Sequence, residues 1–180
     1  MEGMKATTTY IAFLRGLNVG GNNLIPMKEL ATIGERAGLS GVRTCINSGN
    51  ILFTSDQPEG ELATALEKEL AGKTGKEIRV FIRSAKELEQ IVRDNPFPNA
   101  VPSQVGVMLV AGPVGKNVLA EFVISGTETV VVGKREIYVH YPDGMGRSKL
   151  KWPPSLKDGT MRNINTLTKL ASLAAERSGG

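Results

Sequence analysis

TTYIAFLR (residues 8–15), GLNVGGNN (16–23) and IPMKELATIGERAG (25–38) form the stretch on which the reading of the fold turns. The first segment is β-branched and aromatic, a composition that favours a strand. The glycines and asparagines of the second stop the strand and make a loop. In the third, Pro26 suits the first turn of a helix. Met27, Leu30, Ile33 and Ala37 then recur at helical spacing, and Gly38 stands where a helix-stopping glycine is favoured, so the pattern predicts a helix over 26–37.

Working outward, Val42–Asn47 and Asn50–Thr54 read as two strands joined by a tight turn at Ser48-Gly49. Pro58, Glu59 and Glu61 open a second helix whose apolar face is Leu62, Ala65, Leu66 and Leu70, and IRVFIR (78–83) is a further strand. The order β-α-β-β-α-β is that of a ferredoxin-like plait, with an antiparallel sheet in spatial order 4-1-3-2 and both helices on one face. Ser84 and Glu87 make a capping box for a helix bearing Leu88, Ile91 and Val92, which ends before Asn95-Pro96-Phe97-Pro98. The second half offers a strand (Gln104–Val110), a short helix (Lys116–Val123) and a hairpin of Thr129–Val132 with Glu136–Tyr141. After an irregular stretch, 142–159, comes a last helix with Ile164, Leu167, Ala171 and Ala174 on one face. The expected class is α+β, two ferredoxin-like antiparallel-sheet subdomains in tandem. Residues 1–83 form the first, and 84–180 form a second, degenerate one carrying the C-terminal helix. The halves align poorly by identity, so the duplication is one of structure.

Composition sets the outer limits. With 41% hydrophobic and 22% charged residues, the chain has the makeup of a protein folded throughout. The longest nearly apolar stretch, 105–114, is half of a membrane span, and residues 1–10 lack the apolar segment of a secretory signal, so a cytoplasmic protein with no membrane partner is expected. One cysteine, Cys45, excludes an internal disulfide and Cys-rich zinc sites. One histidine, His140, excludes H-E-x-x-H chemistry. Both read as structural, and no cofactor is expected. The net charge of +4 favours anionic partners without choosing among nucleotide, phosphate metabolite and RNA.

RGLNVGGNNLIPM (15–27), RTCINSGNILF (43–53) and TMRNINTLTKL (160–170), together with GRSKL (146–150), resemble the signature stretches of a bacterial family catalogued as domain of unknown function 1697. The resemblance runs from about Thr8 to Ala174. It implies two ferredoxin-like subdomains and no established activity, substrate or cofactor. Cys45 stands where the family is expected to carry tyrosine, so no thiol mechanism carries over.

Candidate ligand residues follow from topology. The loop over 16–23 lies between a strand and a helix, where backbone N–H groups and the helix dipole attract an anion, although it is neither a P-loop nor G-x-G-x-x-G. In a 4-1-3-2 sheet the end of strand one meets the turn between strands two and three. Arg15, Asn18, Gly20 and Gly21 are therefore expected on one edge with Asn47, Ser48 and Asn50. Arg162 and Asn163 are expected to reach that edge from the second subdomain. Each cluster also has a plainer reading. The 47–50 amides can bond their own hairpin, Thr160 or Asn163 can cap the last helix, Gly146–Lys149 can be a solvated basic loop, and Trp152 can anchor it. The expected function is binding of a small phosphate- or carboxylate-bearing ligand. The alternatives are an RNA-binding module, for which GNILFTS (49–55) supplies only Phe53 as a stacking aromatic, and an enzyme acting on a phosphorylated or amide-bearing substrate.

Overall fold

The computed structural model describes residues 7–15, 25–45 and 49–179. Met1–Leu88 with Leu170–Gly180 form one compact unit, and Glu89–Lys169 form another.

In the first unit, β1 (Thr8–Leu14), α1 (Met27–Arg36), β2 (Ser40–Thr44), β3 (Asn50–Ser55), α2 (Glu59–Thr74) and β4 (Val80–Ser84) follow in the expected order. The sheet runs β2-β3-β1-β4 and every pairing is antiparallel. Alternation along the strands divides the side chains between two faces. Ala12 and Leu14, Ile51 and Phe53, and Val80 and Ile82 pack into one cluster with Leu30 and Ile33 of α1 and Leu62, Leu66 and Leu70 of α2. Both helices therefore cover the same face, as predicted, and Met27 opens α1 with its side chain outside the described ones. The intervening residues, Ile11 and Phe13, Leu52, and Phe81 and Arg83, occupy the other face and are also buried.

The pairing of β2 with β3 shifts register between Ser40 and Arg43. Gly41 sits in that irregularity at φ +59°, a left-handed conformation that a residue with a Cβ adopts only at a cost, so glycine is what lets the edge strand bulge there.

α3 (Ala85–Arg93) begins with the predicted cap, the Glu87 N–H donating to Ser84 Oγ at 3.1 Å. The second unit contains β5 (Val105–Leu109), β6 (Thr129–Val132), β7 (Glu136–His140) and β8 (Thr160–Asn163), ordered β6-β7-β5-β8. Counted within the unit this is again 4-1-3-2, and all pairs are antiparallel, so the two halves share one sheet topology. The class is α+β with two tandem antiparallel sheets. The final helix, α4, spans Ile164–Gly179.

Two sequence readings are corrected here. The helix expected over Lys116–Val123 is only a 3-10 turn, Val118–Glu121. Val123 instead exchanges backbone hydrogen bonds with Lys151 (3.1 and 3.0 Å), which pulls the chain out of helical geometry one turn after it begins. Thr160–Asn163, read as the start of the last helix, is the fourth strand of the second sheet, with Val107 opposite Arg162 and Leu109 opposite Thr160. Asn163 is the cap, its Oδ1 accepting from the Thr166 N–H at 2.9 Å.

At the entry to β8 the backbone passes very close to β5. A Cβ on Gly159 would lie 2.7 Å from both the Leu109 carbonyl oxygen and Met108 Sδ. The core of this unit gathers Val118, Phe122, Val130, Ile137, Val139, Tyr141 and Leu156, and Trp152 meets the Phe122 ring edge-on at 5.0 Å between centroids. The tryptophan therefore anchors the irregular stretch to the body, as expected. Among the described residues no helix is long and apolar enough to cross a membrane.

Candidate functional site

Three segments of the first unit meet at one end of its sheet. The Leu14 N–H donates to the Gly49 carbonyl and the Arg15 N–H donates to the Arg79 carbonyl, each at 2.9 Å. The end of β1 is thus fixed between the β2–β3 turn and the start of β4, as the 4-1-3-2 order requires. Positions 11, 13 and 15 alternate to the sheet face away from the helices, as do 79, 81 and 83. Arg15 and Arg79 are therefore arginines on neighbouring strands and on one face. Arg15 is exposed. Arg79 extends over the Phe81 ring, 5.8 Å from its centroid, and its Nε lies 3.3 Å from Glu67 Oε2. The same carboxylate oxygen accepts the Val80 N–H at 3.1 Å, so Glu67 also holds β4 in place. The formal charges of Arg15, Arg79 and Glu67 sum to +1.

Asn50 is buried, and its Nδ2 donates to the Cys45 carbonyl at 3.2 Å, while the Asn50 carbonyl accepts the Cys45 N–H at 2.9 Å. Its amide thus serves the hairpin, the plainer of the two readings made from sequence. Asn18, Gly20, Gly21, Asn47 and Ser48 lie outside the described residues. Cys45 is buried and in no disulfide. Burial pushes its thiol pKa up, and the nearby charges of Arg43 and Arg177 pull in the opposite direction.

Arg162 projects from β8, not from α4, and donates from Nη1 to Thr160 Oγ1 at 2.6 Å and to the Met161 carbonyl at 3.0 Å. Burial draws its pKa down to about 10, so it is a cation at neutral pH. Asn163, as described, caps α4.

In the GRSKL loop, Ser148 donates to Glu128 Oε1 at 2.7 Å and accepts the Leu150 N–H at 3.2 Å. The Ser148 hydroxyl holds the Glu128 carboxyl below the usual carboxylate range. Ser148, Glu128 and Thr127, which donates to Asp143 at 2.7 Å, border a small cavity of about 130 Å³. The His140 ring lies 5.4 Å from that of Phe97. Phe53, the single aromatic of 49–55, is stacked on Tyr10 at 5.6 Å and enclosed on the helix-covered face. Among the described residues no group of three or more His, Cys, Asp or Glu side chains is placed to hold a metal ion.

Arg79 escaped the sequence reading. Its place follows only from the register of β4 on β1, in which Tyr10 stands opposite Ser84 and Leu14 opposite Val80, so that Arg79 falls beside Arg15.

Residues 7–138 match the model of a family described as protein of unknown function (DUF1697). The chain is also similar to a conserved bacterial protein, SP0830 from Streptococcus pneumoniae. That solved structure superposes with a TM-score of 0.74 at 24% identity over 94% of this chain and 99% of that one, a likeness of fold. No curated relative matches the chain.

Proposed function

Because the chain belongs to the DUF1697 family of proteins of unknown function, its activity has to be read from its own residues, and we propose that it binds a small anionic ligand at the β1 end of the first sheet. One observation carries this reading: the Arg15–Arg79 backbone hydrogen bond puts two guanidinium-bearing residues side by side on one face. Like charges at neighbouring strand positions repel each other. An oxyanion that accepts from both relieves the repulsion and gains charge-assisted hydrogen bonds. Phosphate and carboxylate each present a pair of oxygens that fits the fork of a guanidinium. The single cysteine, with no second thiol in the chain, is compatible with the reducing cytoplasm in which we place the protein.

Calorimetric titration with inorganic phosphate and with acetate, at constant ionic strength, tests the proposal. Binding by the unaltered chain should weaken by about tenfold or more in Arg15→Ala and Arg79→Ala, as expected for loss of a charge-assisted contact. Affinity unchanged in both variants would rule the edge out. A short RNA titrated alongside separates a nucleic-acid ligand, whose affinity should fall steeply with salt, from a small anion.

A further inference from the structure

Along α4, Leu170 and Ala174 are fully buried, and the next position on that stripe, three residues on, is Arg177. Its Nη1 is buried and has no hydrogen-bond partner among the described residues. The guanidinium lies against the β2 bulge: a Cβ on Gly41 would sit 3.5 Å from Nη2, 3.6 Å from Nη1 and 3.7 Å from Cζ. On the same strand Arg43 is exposed, paired across to Leu52, and its charge and that of Arg177 both bear on the Cys45 thiol. Neither guanidinium makes an ion pair with a described residue. A charged donor withdrawn from water without an acceptor is costly. The C-terminal end of the helix dipole favours a cation in the last turn, but it supplies no acceptor for Nη1.

We propose that Arg177 and Arg43 together hold a phosphate-class oxyanion over the β2 bulge, the anion accepting from Nη1 of Arg177 and from the exposed guanidinium of Arg43. This subsite does not depend on Arg15 and Arg79. Arg177 is partly exposed as a residue, but its Nη1 is left without an acceptor in the empty protein, and an oxyanion held there supplies one.

Inorganic phosphate and a mononucleotide, each at constant ionic strength, are the probes, read by thermal melts and calorimetry on the unaltered chain, Arg177→Met, Arg43→Met and Arg15→Ala. Phosphate should raise the melting temperature of the unaltered chain and of Arg15→Ala, and bind about tenfold or more weakly to Arg177→Met and Arg43→Met. In phosphate-free buffer Arg177→Met should melt at or above the temperature of the unaltered chain, because the unpartnered buried charge is gone. Arg177→Lys, which keeps the charge, should retain part of the phosphate response. A response to the mononucleotide alone would assign the subsite to a phosphate ester, and a response to both to the phosphate group itself. The proposal is overturned if neither probe stabilises the unaltered chain, if Arg177→Met responds as the unaltered chain does, or if Arg177→Met melts lower without phosphate, which would make the arginine a structural cation. A phosphate response lost in Arg15→Ala and kept in Arg177→Met would leave the β1 edge standing and this subsite refuted.

Discussion

Leu66→Ala is the perturbation that most directly probes how α2 is seated. Leu66 is 0% exposed, as are Leu62 and Leu70 one turn to either side, and all three belong to the cluster containing Ile51, Phe53 and Ile82 of the sheet. Alanine removes three carbon groups at about 0.8 kcal/mol each, or about 2.4 kcal/mol of lost transfer free energy. The walls of the site are strands and a helix held by their own backbone hydrogen bonds, so the space closes only in part. The residual cavity adds on the order of 1 kcal/mol, for a total of about 3 to 4 kcal/mol, inside the range of about 2 to 5 for such truncations. Helix propensity hardly enters, since leucine and alanine are both strong helix formers. Urea melts followed by circular dichroism at 222 nm give the measurement, with Lys68→Ala, at an exposed position of the same helix, as a control expected within about 0.5 kcal/mol. The single tryptophan, Trp152, lies in the other unit, so its fluorescence does not substitute for the helix signal. A loss below about 1 kcal/mol for Leu66→Ala would refute the assignment of the buried face.

Other expectations rest on single contacts. Gly159→Ala places a methyl against the Leu109 carbonyl and should loosen β8 from β5, seen as faster amide exchange at Val107 and Leu109. Asn163→Ala removes the acceptor for the Thr166 N–H and should cost about 1 kcal/mol in denaturant melts. Tyr141, pushed from the usual 10.0 to about 12, chiefly by burial and also by the charge of Glu128, keeps its proton longer in the folded than in the unfolded chain. Its contribution to stability is therefore full below pH 10.0 and is lost as the pH rises through about 12, so Tyr141→Phe should flatten the alkaline fall in melting temperature over that interval.

The first unit was legible because each element carries its own period. Leu62, Leu66 and Leu70 repeat at helical spacing, and TTYIAFLR, whose two faces are both buried, reads as a nearly continuous apolar strand. The second unit resisted where tertiary contacts overrule local preference. Nothing within 116–123 announces that Val123 will bridge to Lys151, a partner 28 positions away in the chain. TMRN reads as a helix cap because Asn163 is one, and the same four residues become a strand only because β5 needs a second neighbour. At the candidate site, Arg15 and its place beside the β2–β3 turn followed from topology. Arg79 required the register of β4, which the apolar run 78–83 leaves open by two residues. Asn50 could not be assigned from sequence at all, since an asparagine flanking a tight turn can serve a ligand or its own hairpin, and only the 3.2 Å bond to Cys45 decides between them.

The β2 bulge also bears on whether copies of the chain stay apart. β2 is the outermost strand at its end of the sheet, and an outermost strand presents unpaired N–H and C=O groups that invite a second molecule to extend the sheet. The break in register between Ser40 and Arg43, the left-handed Gly41 and the charged, exposed Arg43 spoil that template: the hydrogen-bonding row is irregular, and the edge strand carries a cation. A β-branched residue at position 41, by flattening the strand, would trade this defence for regularity and favour self-association through edge-to-edge pairing.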